Sequence, residues 1–134
     1  MLSLSACREE PERRTAPVSP TTDLAVSTSP APRKSVPERR PVLVGPGTVC
    51  GEIQPPNGGP MAAVAVLEGR ADCRAAVRTF RSYYRADTPK QGSAGVATVG
   101  GWRCASNSAA QANSSGRLSS CRKAAATIVA DVIP

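Results

Sequence analysis

Apolar positions in the last ninety or so residues recur with two different periods. In MAAVAVLEG, residues 61–69, Val64 and Val66 alternate with smaller side chains, the period of a half-buried strand. The period changes in ADCRAAVRTFRSYYRA, residues 71–86. There Cys73, Ala76, Val77, Phe80 and Tyr84 fall at offsets of 3, 4, 7 and 11, one face of a helix that Asp72 is placed to cap. Arg74, Arg78, Arg81 and Arg85 recur at spacings of 4, 3 and 4 on a second face, roughly a hundred degrees around the wheel. VATVGGWRC, residues 96–104, reads as a strand in which Gly100 and Gly101 allow a bulge or a close backbone approach. RLSSC (117–121) and ATIVADVI (126–133) read as two more strands. TVCGEI (48–53) opens the domain and QPPNGGP (54–60) is a turn cluster. TPKQGSAG (88–95) is loop, and ASNSAAQANSSG (105–116) is either a loop or a poor helix. The order β-α-β-β-β predicts an α+β fold: a small antiparallel sheet of about four strands with one main helix laid on it. Trp102, Phe80 and Tyr84 are expected at the centre of its core.

The first third of the chain has neither period. Residues 8–46 contain eight of the thirteen prolines, one of the eleven glycines and none of the four aromatic residues. Such a stretch cannot bury enough apolar area to offset the entropy of ordering it. It predicts a disordered, partly polyproline-like tether. At ~3.1 Å per residue, its extended reach is on the order of 120 Å. The expected organisation is a short amino-terminal remnant (1–7), a linker (8–46) and a globular domain (47–134).

A folding unit of that size tends to need covalent staples. Four of the five cysteines lie in it, Cys50, Cys73, Cys104 and Cys121, with 22, 30 and 16 residues between them. Zinc sites present cysteines in pairs two to four residues apart, which these spacings lack. Two disulfides are therefore expected, and with them an oxidising compartment outside the cytoplasm. Three pairings are open. A local bridge closing the polar loop between GWRC and LSSC favours Cys104 with Cys121, leaving Cys50 with Cys73 to tie the incoming chain to the start of the helix.

Charge and chemistry narrow the rest. The net charge is +7, and both parts of the chain are mildly basic. In the domain no basic run exceeds Arg122–Lys123 and none is interleaved with aromatics, so nucleic acid is not expected as a partner. With no histidine in the sequence, the usual general base and the commonest metal ligand are missing. Two remnants of enzyme chemistry are a carboxylate pair drawn from Glu52, Glu68, Asp72 and Asp87, and GSAG (92–95), loosely similar to a nucleophile elbow. GSAG lies in a loop flanked by Pro89 and Lys90, not in a strand-to-helix turn. No catalysis, metal or cofactor is expected, and the domain is expected to be a monomer. The arginine stripe Arg74, Arg78, Arg81 and Arg85 is the candidate binding surface, for an anionic envelope polymer, a headgroup or another envelope protein.

LSAC at residues 4–7 resembles the lipobox of bacterial lipoproteins, in which cleavage precedes a cysteine that is then acylated. The resemblance implies Cys7 as the lipidation site and a membrane partner through a lipid anchor. MLSLS is shorter than the apolar stretch of about 7–15 residues that a signal peptide needs, so the expectation is a start further upstream. CGEI, VLEGRADC, a helix ending in SYY, GGWRC, a last cysteine and an apolar end resemble small secreted or lipid-anchored proteins of mycobacteria and related actinobacteria. This resemblance implies a cell-envelope protein, membrane-anchored or secreted. Small actinobacterial proteinase inhibitors similar to the subtilisin inhibitor share the combination of two disulfides, antiparallel sheet and helix, and supply the alternative. The segment after Cys104 has no large residue for a protease pocket, and the cysteine spacings differ.

Labelling with an alkyne fatty acid checks the anchor. The full-length precursor should take up label, and Cys7→Ala should lose it and either leave the membrane fraction or stay unprocessed.

Overall fold

The protein is described by a computed structural model covering residues 39–134, with Ala31, Pro32 and Pro37. Cys7, the segment 1–7 and most of the linker lie outside the described residues.

Among the described residues eight strands and two α-helices follow one another. They are β1 (Leu43–Val44), β2 (Val49–Ile53), β3 (Ala62–Glu68), β4 (Ala71–Asp72), α1 (Cys73–Tyr83), β5 (Ala97–Val99), β6 (Trp102–Ser106), α2 (Ala109–Ser115), β7 (Arg117–Lys123) and β8 (Ala126–Val132). Six form one antiparallel sheet in the order β2-β3-β8-β7-β6-β5, while β1 and β4 make a separate two-stranded ribbon. The α+β class and the helix laid on an antiparallel sheet match the expectation, and the strand count does not.

Three departures have local causes. VATVGGWRC is two strands: Val99 pairs with Trp102 across Gly100 and Gly101, whose φ values are 55° and 80°. Positive φ at both central residues is what a two-residue hairpin turn of matching twist requires, so the glycines reverse the chain instead of bulging it. TVCGEI pairs with β3 and becomes an edge strand. The third departure concerns the linker boundary. Leu43 pairs with Asp72 and Val44 with Ala71, so strand structure begins before residue 47.

The core lies between α1 and one face of the sheet. Alternation places Ala62, Val64 and Val66 of β3 inward, with Ile128 and Ala130 of β8, Cys121 of β7, and Trp102 and Cys104 of β6. α1 covers them with Ala76, Phe80 and Tyr83, all fully buried. Asp72 caps the helix, its Oδ1 accepting from the Ala75 N–H at 2.8 Å. The expected core residue Tyr84 is only half-buried, and Tyr83 takes its place. The helix ends at Tyr83 and Tyr84 is its C-cap, so extrapolating the wheel by one residue picked the wrong ring.

Both ends of α1 are fastened. Two disulfides join Cys50 to Cys73 and Cys104 to Cys121. The first ties the first residue of α1 to the edge strand β2. The second links residues directly opposite in the β6–β7 ladder, both fully buried. At the other end the Tyr83 hydroxyl donates to the Gly95 carbonyl at 2.6 Å. A phenol has one proton, so at its 2.8 Å contact with Ser106 the serine donates. The same count makes Ser119 donate to Ser106 at 3.2 Å, and Tyr84 to Ser119 at 2.8 Å. Four hydroxyls thus run in one direction from Tyr84 to a backbone carbonyl. Burial pushes the Tyr84 phenol above its usual range, reinforced by Tyr83.

Two outcomes follow. Tyr83→Phe removes the side-chain partner of the Gly95 carbonyl and one partner of the Ser106 hydroxyl at a part-buried site, and should cost about 2 kcal/mol. That lowers Tm by roughly 8–16 °C in a domain of this size. Tyr84→Phe, at the donor end of the chain, should cost about 1 kcal/mol, both read by thermal melts. Under a mild reductant the half-buried Cys50–Cys73 bridge should open first, with Cys104–Cys121 surviving until unfolding. Mass spectrometry of alkylated intermediates reads the order.

Candidate functional site

The arginine stripe divides at the end of the helix. Arg74, Arg78 and Arg81 sit on α1 and are exposed. Arg85 lies beyond its last turn and is held by Asp87, with Nε 3.0 Å from Oδ1 and Nη2 2.9 Å from Oδ2. This two-pronged contact raises the Arg85 guanidinium pKa and lowers the Asp87 carboxyl below the usual range, first through the hydrogen bond and then through charge. Arg85 is therefore already engaged.

Arg74 and Arg78 face a different neighbour. The chain entering β1 carries Arg39 and Arg40, and the pairing of Leu43 with Asp72 lays that segment beside the start of α1. The four arginines line a cleft of about 500 Å³. Arg74 and Arg78 also line an adjoining groove with Arg81, Val77 and the Cys50–Cys73 bridge. Asp72 borders the cleft, but its Oδ1 already accepts the capping N–H of Ala75. Among the described residues the ion pairs are Arg85–Asp87 and Arg117–Asp131, and neither involves a cleft arginine. Arg39 and Arg40 escape a sequence reading that assigns them to the linker. The apolar run PVLV that follows them, residues 41–44, is the signal that could have placed them next to a strand partner.

The other sequence candidates are dispersed. Glu68 accepts from the Thr127 hydroxyl at 3.0 Å, Glu52 is exposed on β2, and Asp72 and Asp87 are engaged as described. GSAG forms a turn closed by the Gln91–Val96 bridge, with the Gly95 carbonyl bound to Tyr83. The segment 105–116 contains α2, a capped helix. Ser108 accepts from the Gln111 N–H, and the Gln111 side chain accepts from the Ser108 N–H. The sequence signal for it is Ser108 followed three residues later by Gln111, a capping box. Among the described residues no group of three or more His, Cys, Asp or Glu could hold a metal ion.

Compared with protein-family models, curated proteins and solved structures, the chain matches none. The two disulfides point to an oxidising, extracytoplasmic setting. Among the described residues no helix is long and apolar enough to cross a membrane.

Proposed function

We propose that this is an exported, lipid-anchored envelope protein whose domain has a non-catalytic binding role, taking a phosphate-bearing envelope component in the arginine cleft. The convergence of Arg39 and Arg40 with Arg74 and Arg78 carries this reading, since two segments more than thirty residues apart contribute to one concave site. Like charges held together repel, and an anion in the cleft relieves that repulsion. Planar guanidinium forks match the oxygens of phosphate in pairs, which a lysine cluster would not do. Acylation at Cys7, through the LSAC resemblance, would keep the cleft near anionic headgroups, and a proline-rich linker would let it reach further out. Two disulfides support export. The proteinase-inhibitor alternative gains nothing from the segment after Cys104, where α2 stands in place of an extended loop.

The test is binding by the full chain in two arms. One measures co-sedimentation with phosphatidylglycerol vesicles against phosphatidylcholine vesicles; the other measures calorimetry with inorganic polyphosphate. Binding in the first arm identifies a headgroup, in the second a free phosphate polymer. Arg74→Gln combined with Arg78→Gln should weaken either by about tenfold or more, as expected for the loss of charge-assisted hydrogen bonds. Arg85→Gln, whose guanidinium Asp87 already engages, should change it by less than about twofold. Absence of binding in both arms, or equal loss in the two variants, overturns the cleft reading.

A further inference from the structure

On the other side of β1 from the arginine cleft lies a groove of different chemistry. Its floor is Trp102, 6% exposed, and Ala71, 3% exposed. Leu43 and Ala75 wall one side, and the turn joining β7 to β8 walls the other through Ala124, Ala125 and Ala126. The groove is open to solvent and its volume is about 450 Å³, within the range of small-ligand sites. Two cations stand on its rim, Arg70 and Lys123. Arg70 donates one N–H to the Leu43 carbonyl at 3.0 Å, which holds the guanidinium at the mouth with further N–H groups to spare. The Lys123 ammonium lies against Gly101, where a Cβ would approach Nζ to 3.4 Å, next to Trp102 in sequence. Neither cation belongs to an ion pair among the described residues. Asp72 borders this groove too, with its Oδ1 engaged by the Ala75 N–H.

The wall made by the turn is built at a conformational cost. Lys123 pairs with Ala126, so Ala124 and Ala125 are the two central residues of the hairpin. Such turns favour Asn-Gly or Gly-Gly. Here Ala124 has φ of 49°, in the region where a methyl-bearing residue is strained. The turn also presses on Gly69, where a Cβ would lie 2.5 Å from the Ala125 carbonyl oxygen. A glycine turn would fold more easily and would leave the groove without its methyl wall. Strain of this kind is retained where the surroundings over-determine it, often at ligand sites.

We infer that this groove binds an aliphatic carboxylate of medium chain length, its hydrocarbon part on Trp102 and the alanine wall and its carboxylate between Lys123 and Arg70. Alanine and leucine surfaces offer a polar ligand no hydrogen bonds and the Trp102 indole offers a single N–H donor, so a sugar or a free nucleotide does not suit them. Two cations in the lining favour a negatively charged group on an otherwise apolar molecule. The site does not rest on the arginine cleft, with which it shares no arginine.

Trp102 is the only tryptophan in the chain and reports from the floor itself. The full chain is titrated with decanoate, decanol and decyltrimethylammonium, each kept below the concentration at which it aggregates, while tryptophan emission is followed. Decanoate should give a saturable change. Decanol should bind about tenfold more weakly for want of the charge-assisted contacts, and the cation should not bind. Lys123→Gln and Arg70→Gln, both at exposed positions, should each weaken decanoate severalfold and leave decanol unchanged. Ala125→Leu, on the exposed turn, should fill the groove and weaken both ligands together. No saturable response to decanoate overturns the inference. So does equal affinity for decanoate and decanol that survives Lys123→Gln, or undiminished binding by a folded Ala125→Leu variant.

Discussion

The constraint on which the molecule depends is the fastening of α1 at both of its ends to opposite sides of the sheet. Its first residue, Cys73, is covalently joined to β2 at one edge, and its last, Tyr83, is hydrogen-bonded to the Gly95 carbonyl beside β5 at the other. Between those points the helix cannot roll without pulling a buried phenol off a carbonyl. Phe80 and Ala76 are therefore held against Val64, Val66 and Ile128, and the rotational phase of every other residue on the helix is set. A unit of this size has little apolar area with which to impose such a phase by packing alone. A disulfide at one end and a chain of four hydroxyls at the other make up the difference.

The surface chemistry follows from that phase. With Ala76, Phe80 and Tyr83 inward, Arg74, Arg78 and Arg81 must face out along the side where β1 approaches. β1 is only two residues long, yet its pairing with β4 divides the surface near the helix start into two clefts. One is lined by guanidinium groups, the other by alanines and a tryptophan. The same short ribbon thus orders both, and the Leu43 carbonyl that receives Arg70 belongs to it.

How much of this could be read from the chain depends on how local each feature is. The helix, its Asp72 cap and its inward face through Phe80 are written in adjacent residues, and so are β7 and β8. The cysteine partners were accessible because each bridge closes a short stretch. Tyr83 and Tyr84 could not be told apart by periodicity, because the helix stops between them. β1 and β4 have two residues each, too few to show any period, and they exist only because they pair with one another. The joining of Arg39 and Arg40 to the helix stripe, and hence the cleft, depends on that pairing, to which only the apolar run 41–44 points. α2 was in principle readable from Ser108 and Gln111. A run of small polar residues masked it, since none of its residues is buried and the pattern of a core-facing helix is absent.

The strand order also has a consequence for how the chain reaches this state. Residues 43–83 contain β1 to β4, α1 and the Cys50–Cys73 bridge, whereas residues 97–132 form a meander, β5 to β8, with α2 between β6 and β7 and the Cys104–Cys121 bridge inside it. Each half can therefore oxidise its own cysteines by closing a separation of 23 or 17 residues, with no need for the other half to be in place. Within the sheet the halves meet along one seam, the β3–β8 ladder, where Ala62 lies opposite Val132 across seventy positions of chain. Closing so long a loop comes at an entropic cost before any contact rewards it. Zippering of that seam is the step on which the assembly rate should hinge, and by then both covalent bridges can already be correct.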